Sequence, residues 1–153
     1  MTHATPNPLL GTWHLRRWEI SYSDGRAPTL PFGPDAVGLI QYTADGGMSA
    51  CIARAGRPPL SSESMRKLPT AEAVAAFESF FQYAGRYVLR THEGRPQVVH
   101  QVTMSLNPSF VGSEQVRDMH FDAEGRLTLS ASDTLPGSSV LRHHRLQWER
   151  RPA

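Results

Sequence analysis

The chain has 153 residues and a single cysteine, and its sixteen Lys or Arg stand against fourteen Asp or Glu for a formal charge of +2. That length suits one domain, expected to span 1–153, which buries roughly two-thirds of the surface of its unfolded chain without disulfides. Cys51 has no partner, no Cys/His spacing suits zinc, the charge balance disfavours nucleic acid, and no apolar run nears the roughly 20 residues of a membrane helix, so a cytoplasmic protein without targeting segment or membrane span is expected.

Gly11-Thr12-Trp13 opens the chain's first strand-like segment, Trp13 to Tyr22. Its large apolar residues change parity between Leu15 and Trp18, which predicts a bulge or bend there. Asp24-Gly25 reads as a turn, and Pro28, Pro31 and Pro34 keep the following segment out of a sheet. Val37 to Thr43 and Met48 to Ala53 flank Ala44-Asp45-Gly46-Gly47, whose glycines supply the positive φ of a tight hairpin. Residues 54–69, carrying Gly56, Pro58, Pro59 and Pro69, read as a loop with one helical turn around Ser62–Lys67. One short helix is predicted over about 70–82, capped by Thr70, complemented by Glu72 in its first turn and ended by Gly85. Its Val74, Phe77 and Phe81 share a face that suits either core packing or closure of a barrel mouth.

Downstream, the strand-like segments are Tyr87–Thr91, Val98–Ser105, Gln115–Phe121, Leu127–Ser132 and Val140–Trp148. They are divided by Glu93-Gly94-Arg95-Pro96, Asn107-Pro108, Glu124-Gly125 and Pro136-Gly137. This spacing predicts an all-β antiparallel meander. Trp148-Glu149-Arg150 in the last segment and Gly11-Thr12-Trp13 in the first suggest that the two ends pair, closing an up-and-down barrel near whose mouth the helix lies. Trp13, Trp148 and Arg150 are then structural, the arginine stacking on Trp13 to close the floor; as isolated residues, both tryptophans are equally ordinary core. The basic stretch Arg142-His143-His144-Arg145, with Arg150-Arg151, reads as a solvated strand face.

With these segments placed, the sequence resembles the bacterial and fungal lipocalin-like domain family. The resemblance is carried by Leu10-Gly-Thr-Trp-His-Leu, the run from Pro31-Phe-Gly-Pro-Asp to Gly46-Gly-Met-Ser-Ala, Tyr83-Ala-Gly-Arg-Tyr, Val99-His100, Asn107-Pro-Ser-Phe-Val-Gly, Gln115-Val-Arg117, Leu127-Thr-Leu and Trp148-Glu-Arg. It covers nearly the whole chain. It implies a closed antiparallel β-barrel with an internal cavity for a small, largely apolar molecule, and no particular reaction.

His100 is the first candidate for chemistry. It shares a strand face with Val98, Val102 and Met104, which places an imidazole among apolar groups inside the barrel. There it is suited to bind a carbonyl or hydroxyl or to move a proton, or it is a structural histidine satisfied by the protein itself. Arg117 alternates with Met119 and Phe121, and Glu19 follows Trp18. If both face inward they pair, unless a ligand carboxylate or enolate takes the arginine; otherwise they face water. His100, Arg117 and Glu19 are thus the candidate catalytic or anchoring groups. Trp18, Tyr42, Met48, Tyr87 and Met104 are the candidate ligand wall, with Tyr83 as a further phenol.

No cofactor or metal is expected: Gly-x-Ser-x-Gly, phosphate-loop and His-Glu-x-x-His motifs are lacking. Two functions follow. One is binding of a small hydrophobic organic molecule. The alternative is a cofactor-independent isomerase or cyclase on a polyketide- or terpenoid-like intermediate of secondary metabolism, with His100 as proton carrier and Arg117 stabilising negative charge. A packed barrel acting through its surface is a third reading. The oligomeric state stays open, a homodimer included.

Overall fold

A computed structural model describes residues 5–151; residues 1–4 and 152–153, at the limits of the expected domain, lie outside the description. Eight strands form: β1 (Gly11–Tyr22), β2 (Val37–Tyr42), β3 (Gly47–Ala53), β4 (Phe80–His92), β5 (Arg95–Ser105), β6 (Glu114–Phe121), β7 (Leu127–Thr134) and β8 (Leu141–Glu149). Each pairs antiparallel with the next, and β8 returns to β1, so the sheet closes into a barrel. In that seam Leu15 lies opposite Trp148 and Ile20 opposite His144. Closure removes the free edges that an open eight-stranded sheet would present. Among the described residues, no helix is long and apolar enough to cross a membrane.

Two bulges decide which side chains face inward. The β1 register on β8 shifts between Leu15 and Arg17, where the apolar parity of the sequence changes, and so both Trp13 and Ile20 are buried despite their odd spacing. On β5, Gly85 lies opposite Val102 while Ala84 lies opposite Met104, which leaves Thr103 as the extra residue. A Cβ on Gly85 would stand 2.0 Å from the Gln101 carbonyl oxygen, a separation that glycine alone permits.

The helix α1 (Thr70–Glu78) is shorter than the 70–82 expected. Phe80 and Phe81 pair with Ala53 and Ile52 of β3, so ladder hydrogen bonds take over where the helical pattern of the sequence would continue. Gly85 is a strand residue rather than the helix stop, and Pro69, not Thr70, occupies the N-cap. No residue of α1 is buried, so its apolar face does not pack into the core; Val74 and Phe77 stay about half exposed, and Phe77 lies beside the aromatic residues Trp18, Phe81 and Phe110 at the open end of the barrel.

One end of the barrel is sealed by the segment before β1. Leu9 is fully buried and its carbonyl accepts the Trp13 indole N–H at 2.9 Å, while Asn7 donates to the Tyr87 hydroxyl at 2.7 Å. The Arg150 guanidinium lies over the Trp13 ring, 4.1 Å from its centroid, and donates to the carbonyls of Pro8 and Leu10. At the other end the long loops 23–36 and 54–79 emerge, and there the interior opens.

Candidate functional site

Alternation along the strands leaves a cavity of about 360 Å³ in the open half of the barrel. That is ample for a small organic molecule. Ala50 and Ile52 of β3 and Leu129 and Ala131 of β7 form its sides because they share the inward parity of their strands, and Trp148 closes its base. The rim is aromatic. Trp18 packs edge-on against Phe32 and Phe81 at centroid distances of 5.2 and 6.5 Å, and Phe110, from the short turn after β5, does the same against Phe81 at 5.8 Å. The Asn107 side chain accepts from Ser109 N–H and so holds that turn in place.

Beneath the rim lies a neutral polar chain. His100 is 1% exposed; the Tyr42 hydroxyl stands 2.7 Å from its Nε2 and the Tyr83 hydroxyl 2.6 Å from its Nδ1. Burial lowers the imidazole pKa to about 3, with the nearby Arg117 charge acting in the same direction. Burial also raises the pKa of both phenols, that of Tyr42 strongly. All three groups are therefore uncharged at neutral pH. A neutral imidazole donates from one nitrogen and accepts at the other, so one tyrosine gives its proton to His100 and the other retains a proton to donate elsewhere. Tyr83 lines the cavity and Tyr42 does not, so the Nδ1–H tautomer turns the spare donor toward the cavity.

Arg117 faces inward, as its alternation with Met119 requires, and lines the same cavity. Its guanidinium donates to the Val116 carbonyl at 2.8 Å and to the Gln115 side-chain oxygen at 3.4 Å, and it has no carboxylate within ion-pair distance among the described residues. At the mouth Asp133 receives two bonds from Arg142, at 2.8 and 2.7 Å, and stands 3.4 Å from His144 Nε2. His144 Nδ1 accepts from the Trp18 indole at 3.4 Å.

Several expectations about the site change. Glu19 does not meet Arg117: strand alternation puts it on the outer face next to Trp18's inward one, where it accepts two bonds from Arg17 at 3.0 and 2.8 Å. Met104 is 62% exposed because the extra residue at Thr103 reverses its side; the alternation that carries Val98, His100 and Val102 inward stops there. Of the other expected wall residues, Trp18 and the further phenol Tyr83 border the cavity. Tyr42, Met48 and Tyr87 are buried in the packed half below it, where the Tyr42 and Tyr87 rings meet edge-on at 4.9 Å. The basic stretch is not a wholly solvated face, since Arg142 and His144 line the cavity mouth while His143 and Arg145 point away.

Sequence reasoning missed Phe81 and Phe110 as wall, the first because it was assigned to a helix and the second because it lies in a turn. It also missed the Asp133, Arg142 and His144 group, for which strict alternation with Leu146 and Trp148 along β8 was the available signal. No group of three His, Cys, Asp or Glu able to hold a metal occurs among the described residues.

A family profile described as a lipocalin-like domain matches residues 10–151. The chain is also similar to the 4'-hydroxy-3'-methoxypropiophenone carrier protein of Aspergillus oryzae, with 28% identity over 109 residues, which cover 69% of this chain and 97% of that protein.

Proposed function

The chain belongs to the lipocalin-like domain family, and from that premise we propose that its barrel binds and carries one small, largely apolar organic molecule. The observation that carries this reading is the cavity of about 360 Å³ beneath an aromatic rim, in a barrel whose other half is packed. An apolar wall with a few placed polar groups is the composition of a small-molecule site. The relative from Aspergillus oryzae is named for carrying an aryl ketone that also bears a phenol, which favours an aromatic carbonyl compound here. Trp18, Phe81 and Phe110 suit the flat faces of such a ring, and the Tyr83 hydroxyl suits its carbonyl oxygen.

Carriage is better supported than isomerisation or cyclisation through His100. A proton carrier has to change charge near the working pH, whereas this imidazole is neutral and both its nitrogens face tyrosine hydroxyls. The test is calorimetric titration with 4'-hydroxy-3'-methoxypropiophenone and related aryl ketones, on the wild type and on Ala50→Trp. The larger side chain would fill the cavity. Saturable one-to-one binding that Ala50→Trp abolishes is the expected result; no binding by any aryl ketone, or binding unaffected by the filled cavity, overturns it.

A further inference from the structure

The cavity holds more hydrogen-bond donors than it can satisfy, and more positive than negative charge. Two guanidiniums line it, Arg117 and Arg142, against one carboxylate, Asp133. Asp133 is already matched: Arg142 grips both its oxygens. Arg117 is left with a main-chain carbonyl and a distant amide oxygen. A partly buried guanidinium without a counter-charge is costly to keep, since five fixed donors lose water and gain few acceptors. The indole N–H of Trp148, at the base of the cavity, likewise has no acceptor among the described residues, although the residue is 1% exposed.

We propose that the ligand of this cavity is an organic anion, an aromatic or alicyclic acid ionised as carboxylate, sulfonate, enolate or phenolate, whose oxygens dock on Arg117 while its carbon frame fills the aromatic wall. This deepens the carrier reading and rests on it. An anionic oxygen gives Arg117 the charge-assisted partner that the described residues do not supply. The positive field of Arg117 reaches the whole polar chain, since it acts on Tyr42, Tyr83 and His100 alike and in each case disfavours the more protonated form. A ligand acid would feel the same bias and bind as its conjugate base. Uncharged ligands gain the apolar wall but leave the guanidinium unmatched.

The test uses two probes with one ring system, 1-anilinonaphthalene-8-sulfonate and uncharged N-phenyl-1-naphthylamine, followed by fluorescence with the wild type, Arg117→Gln, Arg117→Lys and Ala50→Trp. The wild type should prefer the sulfonate. Arg117→Gln should weaken the sulfonate about 10- to 100-fold and leave the neutral probe within about twofold, the range of one charged hydrogen-bonded contact. Arg117→Lys should restore part of the preference, and Ala50→Trp should remove both signals. If both probes bind the cavity equally and Arg117→Gln changes neither, or weakens both alike, anion recognition is wrong while the carrier reading stands. If neither probe binds, or both survive Ala50→Trp, both readings fall.

Discussion

The Tyr83 hydroxyl stands 2.6 Å from Nδ1 of His100, and this bond joins the cavity wall to a histidine that solvent does not reach. Its opposite nitrogen meets Tyr42 at 2.7 Å, so the imidazole is held at both ends by groups from other strands. His100 fixes the position of Tyr83 in this arrangement; both border the cavity, and Tyr42 does not.

Removing either hydroxyl leaves a buried ring nitrogen without a partner. Tyr83→Phe and Tyr42→Phe should each lower stability by about 1–3 kcal/mol in denaturant unfolding. Only Tyr83→Phe should also weaken a carbonyl-bearing ligand, by about tenfold. Equal losses of affinity in the two variants would remove Tyr83 from the site.

The same burial makes the fold sensitive to acid. In the folded state His100 takes a proton only at about pH 3, whereas in the unfolded chain it does so near its ordinary value of 6.5. As pH falls below about 6.5 the unfolded state binds the extra proton, so stability drops until both states are protonated below about 3. The slope is about 1.4 kcal/mol per pH unit, or about 2 kcal/mol between pH 6.5 and 5. His100→Gln, less stable at pH 7, should show this slope reduced; identical pH profiles for variant and wild type would contradict the assignment.

Gly85 is required by the β5 bulge rather than by a turn. Gly85→Ala would press a methyl into the Gln101 carbonyl, a main-chain atom that cannot step aside. A loss of at least about 3 kcal/mol in thermal or denaturant unfolding is expected. A loss under about 1 kcal/mol would mean that the β4–β5 register shifts readily to accommodate a side chain.

Arg150 belongs to the closure of the barrel and stands apart from the cavity. Arg150→Ala removes its stack on Trp13 and its bonds to Pro8 and Leu10, all at an exposed position, and should cost about 1–2 kcal/mol. Lysine lacks the planar fork and should not restore the loss. Probe affinity should stay within about twofold of wild type; a larger change would couple the floor to the site.

The sequence alone determined the barrel, because what specifies it is local. A strand-like segment marks each of the eight strands, β4 only over Tyr87–Thr91 of its Phe80–His92 span, and Asp-Gly and Gly-Gly pairs mark the tight turn between β2 and β3. The parity change between Leu15 and Trp18 announces the first bulge. The inward direction of His100 and Arg117 was legible for the same reason, since a period of two residues assigns a side without knowledge of any neighbour. Only the tertiary structure decided the partners. Tyr42 and Tyr83 reach His100 from sequence separations of 58 and 17 residues, and the register across three strands sets those meetings. The bulge at Thr103 gives no parity signal of its own, so alternation alone predicts Met104 inward where the fold turns it outward. Glu19 turns to Arg17, and Arg117 has no carboxylate partner among the described residues, because ion pairing depends on which faces the closed sheet brings together. Alternation tells a side chain which way to point, and closure of the sheet decides what it meets there.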